Sequence, residues 1–185
     1  MESAANELRD ALLTPDEATA MQAHGSTDAA VLVPMYGHPG DPGLVFTERR
    51  ATLRRHSGEI SFPGGRRDED EGLLETALRE AEEEIALSRE DIEIVGALPP
   101  VGTFVTGYKV YPFVGLIPPR LPFEPNPDEV ESVLLFRLED LRQGFGMRRL
   151  VRRRVPIRTA TYVVDDHLIW GATARILGTL LERLA

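Results

Sequence analysis

The stretch "LLETALREAEEEIAL", residues 73–87, constrains the fold more than any other part of this chain. Leu74, Leu78, Ala81 and Ile85 recur at helical spacing, so Leu73–Ile85 reads as an amphipathic helix with one buried stripe. Glu80, Glu83 and Glu84 are related by i,i+3 and i,i+4 and project from one side of that helix, at the edge of the stripe. Like charges so placed repel by a few tenths of a kcal/mol per pair. Grouped carboxylate oxygens suit Mg²⁺ or Mn²⁺, hard ions that complete their shells with water and substrate phosphates. A lone run of three glutamates is more commonly a solvated acidic face, so the surroundings have to decide. Asp68 or Asp70 is expected to cap the helix start.

The rest of the chain alternates. Residues 4–22 read as a modest amphipathic helix interrupted at Pro15, and 29–36 and 43–49 as strands joined by the turn-rich "GHPGDPG". Further strands are expected at 92–98, 108–117 and 132–138, then a short helix at "LEDLRQG" and a hairpin over 152–170. A final helix over 171–185 closes the chain, and "PPRLPFEPNPDE" (118–129) reads as a surface loop of the kind that often carries binding functions. These elements predict an α+β fold. At 185 residues one domain is expected, with a helical extension over 1–28 and the main domain over 29–185.

Charge and composition narrow the function. The formal charge of -9 argues against general affinity for nucleic acid or an anionic membrane. A polyanionic substrate must therefore meet a metal ion or a local basic patch, and Arg49, Arg50, Arg54 and Arg55 form one ahead of the turn "FPGG". Arg152 to Arg154 read as a solvated hairpin edge. The absence of cysteine excludes disulfides, thiolate nucleophiles and cysteine-based zinc sites. His56 and His167 have no partner at metal-binding spacing and read as ordinary polar residues. No apolar run reaches the ~18–20 residues of a membrane span. The start "MESAANELRDALL" lacks a basic segment followed by an apolar one, so a cytoplasmic protein is expected.

Spacing then picks the functional reading. From Gly65 the chain runs five residues to Glu71 and seven more to Arg79 and Glu80, followed by Ala81, Glu82, Glu83 and Glu84. This resembles the Nudix box, G-x5-E-x7-R-E-U-x-E-E-x-G-U, where U is a bulky apolar residue. At this chain's own composition such a match arises by chance about twice in ten thousand chains of this length. Ala81 is smaller than the usual bulky residue. Ala86 stands where the box ends in glycine, and a left-handed helix end there costs alanine roughly 1 kcal/mol.

Upstream, "FTERRATLRRHSGEISFPGG" (46–65) resembles the signature of the coenzyme A diphosphatase branch, L-L-T-x-R-[SA]-x3-R-x3-G-x3-F-P-G-G. Thr47, Arg49, Arg54, Gly58, Phe62, Pro63, Gly64 and Gly65 match, while Arg50 replaces the serine or alanine. "LPPVGTFVTGYKVYPFVGLIPP" and "IWGATARIL" are similar to that branch too, so the likeness runs from about residue 29 onward.

The resemblance implies an α/β/α sandwich with a central mixed sheet and metal-dependent hydrolysis of the diphosphate of coenzyme A or its acyl or oxidised forms. The products would be adenosine 3′,5′-bisphosphate and 4′-phosphopantetheine. It implies Glu80 and Glu84 as ligands of Mg²⁺ or Mn²⁺, with Glu83 as a third ligand or a support through water. Arg79 and Glu71 would hold these carboxylates in place. Arg49 and Arg54 would bind substrate phosphates, and Gly64 and Gly65 would allow close backbone approach. Glu129 and Glu131 are candidates for the general base. ADP-ribose, a dinucleotide or an oxidised nucleotide is the alternative substrate, and a ligand-binding module with little turnover is the alternative class. No nucleic-acid or membrane partner is expected, and a homodimer is the default assembly.

Overall fold

A computed structural model describes residues 2–38, 41–50, 58–103, 106–152 and 155–185. The segment read as a helix over 4–22 interrupted at Pro15 is two helices, α1 (Glu2–Ala11) and α2 (Pro15–Ala20). Pro15 lacks the N–H that a helix interior needs, but it is well suited to the first turn. Thr14 and Glu17 form a reciprocal capping box around it.

The strands that follow are β1 (Thr27–His38), β2 (Asp41–Arg49), β3 (Ile60–Ser61) and β4 (Gly64–Arg66). Helix α3 (Leu73–Ile85) and a 3-10 turn at Arg89–Asp91 precede β5 (Glu93–Ala97), β6 (Val101–Gly102), β7 (Tyr108–Leu116) and β8 (Val130–Arg137). The chain ends with α4 (Leu138–Gln143), β9 (Phe145–Arg152), β10 (Val155–Val164), β11 (His167–Ile169) and α5 (Gly171–Arg183).

The main sheet is mixed. β1 pairs β7 in parallel from Thr27↔Tyr108 to Met35↔Leu116, and every other pairing in it is antiparallel. β8 lies beyond β2, β5 lies beyond β7, and the short β3, β4 and β6 extend β2, β1 and β7. A second, three-stranded sheet runs β11-β10-β9.

Alternation along β1 and β2 divides the core into two layers. Leu32 and Val45 pack with Ala77, Ala81 and Ile85 of α3, together with Phe113 and Ile117. Val33, Leu44 and Phe46 pack on the other face with Phe62, Phe136, Ile176, Leu177 and Leu180. This is the α/β/α sandwich that the family resemblance implies. The helix stripe is as read, except that Ala81, small and fully buried, does the work expected of a bulkier residue.

Neither Asp68 nor Asp70 caps α3. Gly72 occupies the N-cap with no side-chain hydrogen bond. Asp68 is instead taken up in a turn whose carbonyl accepts the Glu71 N–H at 3.3 Å. The C-terminal hairpin begins seven residues earlier than expected because β9 follows directly on Gly144, pairing Phe145 with Tyr162.

Candidate active site

The carboxyl end of α3 is held in an unusual way. Ala86 adopts φ 54° and ψ 32°, the left-handed conformation for which glycine is favoured. Its N–H donates to Ala81 and Glu82, and the Leu87 N–H donates to Ala81 at 3.3 Å. Burial of Leu87 and Ile85 opposes the strain. Two further helix-end carbonyls are satisfied from outside: Glu124 N–H donates to Ile85 at 3.2 Å and Asn126 N–H to Glu84 at 2.8 Å. The proline-rich loop is thus bonded to the helix that carries the acids.

That bonding brings Glu129 to the site. The Asn126 side chain accepts the Asp128 N–H at 3.1 Å, and its carbonyl accepts the N–H groups of Glu129 and Val130, which makes a tight turn. Arg50 fastens the turn to the end of β2. Its backbone N–H donates to the Glu129 carbonyl at 3.0 Å, its guanidinium donates to the Pro127 carbonyl, and its Nε lies 3.5 Å from Glu131. The residue that departs from the branch signature therefore positions a loop, a role for which its sequence offered no signal.

The glycine pair closes the other side. Leu32 N–H donates to the Pro63 carbonyl, and Gly64 and Gly65 pair with Val31 and Ala30 of β1. Gly64 N–H donates to Glu84 Oε2 at 3.1 Å. A Cβ on Gly65 would lie 2.3 Å from the Glu80 carboxyl carbon. A side chain at this position would have to push the Glu80 carboxylate aside.

Arg79 organises the acids. Its Nε and Nη2 donate to Glu71 at 2.9 and 3.1 Å, a two-pronged pairing, while Nη1 donates to Glu80 at 2.9 Å and Glu83 at 3.0 Å. Thr76 donates to the same Glu71 at 2.8 Å. The Arg79 bond holds the Glu71 carboxyl below the usual range and the guanidinium firmly charged. Glu75, four residues before Arg79 on the helix, pairs with Arg89 at 3.2 Å.

Glu84 is the electrostatic centre. It is only 6% exposed, and burial pushes its carboxyl up to about 8. The Gly64 N–H and the charge of Arg49 oppose that rise, and Glu80 and Glu129 reinforce it. Glu80 is raised for the same leading reason, burial, against the opposing pull of Arg79. Arg49 has a buried Nε without a hydrogen-bond partner.

The structure thus gathers Glu80, Glu84, Glu129, Arg49, Gly64 and Gly65. Glu83 turns to Arg79 with a 57% exposed side chain, and Glu131 is occupied by Arg50. Arg54, with Arg55 and His56, lies outside the described residues. No cluster of three His, Asp or Glu side chains that could hold a metal forms among the described residues. What converges is a pair of desolvated carboxylates within reach of the charge of an exposed third acid, Glu129, a surplus of negative charge with the unpartnered Arg49 Nε acting against it. That donor set fits a hard divalent cation, which takes only part of its shell from protein oxygens.

An α/β/α sandwich that presses a diglycine turn onto an arginine-braced glutamate helix defines a class of hydrolase. The comparisons with known proteins give the same class: residues 26–154 match the NUDIX domain family, and this chain belongs to it. Nudix hydrolases act on diphosphate linkages of nucleoside derivatives.

The chain is 44% identical over 155 residues to a Cronobacter sakazakii protein named "Uncharacterized Nudix hydrolase NudL", covering 82% of this chain and 80% of that one. It is 39% identical over 168 residues to the protein of the same name from Pectobacterium atrosepticum, covering 88% and 85%. Among solved structures, the NUDIX domain of Shewanella oneidensis NrtR complexed with ADP ribose superposes with a TM-score of 0.57 at 20% identity, covering 94% of this chain and all of that one. A MutT/nudix family protein from Enterococcus faecalis superposes with a TM-score of 0.58 at 13% identity, covering all of this chain and 74% of that one. These two show the shared fold. Among the described residues no helix is long and apolar enough to cross a membrane.

Proposed function

We propose that this chain hydrolyses the diphosphate of coenzyme A, or of its acyl or oxidised forms, with Mg²⁺ or Mn²⁺. The observation that carries this reading is the way the 46–65 segment is used. The glycines that end its branch signature contact Glu84 and Glu80, and its Arg49 acts on Glu84. Residues of the branch signature therefore lie beside the two glutamates proposed to hold the metal.

Glu80 and Glu84 would hold the divalent ion, with Glu83 as a third ligand or a support through water. When bound, the ion supplies Lewis-acid neutralisation of the diphosphate charge. Arg49 and Arg54 bind substrate phosphates, a role to which guanidinium forks are suited. Arg79 keeps Glu80 and Glu83 aligned. Glu129, whose charge acts on both carboxylates, takes the proton from the attacking water; Glu131 is less suited because Arg50 pairs with it. Water adds across the P–O–P bond, leaving adenosine 3′,5′-bisphosphate and 4′-phosphopantetheine.

The test is a substrate panel with either metal, read by mass spectrometry. Coenzyme A and its thioesters are expected to give the two products fastest. Much faster turnover of ADP-ribose or a dinucleotide would reassign the substrate, and no turnover of any compound would favour a ligand-binding module.

A further inference from the structure

The hairpin formed by β9 and β10 is poorly covered by its own chain. β11 pairs only with Tyr162 to Val164, so Gly146 to Arg152 and Val155 to Thr161 form a ribbon of two strands. A two-stranded hairpin alone is marginally stable in water and needs packing on one face. The register puts Phe145, Met147, Arg149 and Val151 on one face of β9, opposite Tyr162, Ala160, Arg158 and Pro156 of β10. Phe145, Met147 and Val151 are 55%, 49% and 74% exposed. Apolar side chains interspersed with arginine, and free of lysine and acid, have the composition of a protein–protein contact.

Charge indicates what covers the arm. Residues 145–164 carry six arginines and no acid, so within a total of -9 the rest of the chain carries -15. Two arms repel one another, which disfavours pairing arm to arm. A strongly acidic body likewise disfavours approach to nucleic acid or an anionic bilayer. The surface best matched to a basic, apolar arm is the acidic body of a second copy.

We propose that two copies form a two-fold dimer in which each β9–β10 arm lies across the acidic body of its partner. Symmetry makes the contact twice over, once from each arm. The apolar stripe supplies the buried area, and the arginines supply orientation and a dependence on salt.

The test is sedimentation equilibrium of the full chain across the micromolar range, at low and at half-molar salt. The expected mass is twice the chain's 20.5 kDa, with dissociation promoted by salt. Met147→Asp combined with Val151→Asp is expected to give a monomer with unchanged circular dichroism, because both side chains are already solvent-facing in the single chain. A second measurement uses the absence of cysteine. A fluorophore on Val151→Cys should lose anisotropy on dilution in step with the change in mass. Three results would overturn the proposal: a wild-type monomer throughout, a dimer indifferent to the double substitution, or a monomer whose arm binds duplex DNA or anionic vesicles in a manner the double substitution abolishes.

Discussion

Glu84→Gln offers the sharpest test of the site's electrostatics, because its effect on stability should be opposite to its effect on activity. In the folded chain the Glu84 carboxyl titrates near 8, against an ordinary 4.5, chiefly because burial penalises its charge. A raised carboxyl favours the folded state while protonated. This stabilising term is fully present below about pH 4.5, fades as pH rises and is gone above about pH 8. At about 1.4 kcal/mol per tenfold change in proton affinity, its ceiling is about 5 kcal/mol. Local relaxation and water entry reduce it, so we expect a penalty of about 2 kcal/mol at pH 8.5.

Glutamine still accepts the Gly64 N–H and carries no charge, so the variant escapes the penalty. With chelator present it should melt roughly 4–8 °C above the wild type at pH 8.5, with the difference vanishing near pH 5. Saturating Mg²⁺ should reverse the order, since a ligand that binds only the folded wild type stabilises it by mass action. Hydrolysis by the variant should be nearly abolished. The assay is thermal denaturation by circular dichroism at both pH values, with and without metal. A variant no more stable than wild type at pH 8.5 in chelator would refute the claim that Glu84 is a desolvated carboxylate awaiting a cation.

Three other outcomes are expected. Gly65→Ala places a methyl group 2.3 Å from the Glu80 carboxyl carbon, so hydrolysis should fall by about two orders of magnitude or more as Glu80 is displaced, read as kcat/KM under saturating metal. Ala86→Gly relieves a left-handed alanine and should raise stability by about 1 kcal/mol, measured by urea denaturation, with activity retained. Arg50→Ala frees the Pro127–Glu131 turn and should lower kcat by about tenfold or more while leaving Mn²⁺ affinity nearly unchanged, because Glu80 and Glu84 are untouched. Calorimetric titration of Mn²⁺ separates that result from a general loss of the site.

Local pattern was enough to read much of this protein. The spacing of Leu74, Leu78, Ala81 and Ile85 placed α3 at its observed limits, and alternation located the principal strands of the sandwich. The grouping of Gly64, Gly65, Arg79, Glu80 and Glu84 was also legible, because one short segment carries them at fixed intervals along a helix and the turn before it.

Contacts between distant segments were not legible, since spacing along a chain says nothing of what a side chain meets across the fold. Which glutamates become desolvated depended on the packing of α3 against the diglycine turn, and this separated Glu84 from the equally acidic, solvent-facing Glu83. That the proline-rich loop caps α3 and delivers Glu129 depended on backbone groups, which sequence does not distinguish. Arg50 looked like a blemish in a signature until the Pro127 carbonyl and Glu131 appeared beside it. Sequence determined the helix, its charges and the glycines around them; tertiary structure decided which charges lose their water, and the work of desolvation turns a row of similar acids into a site.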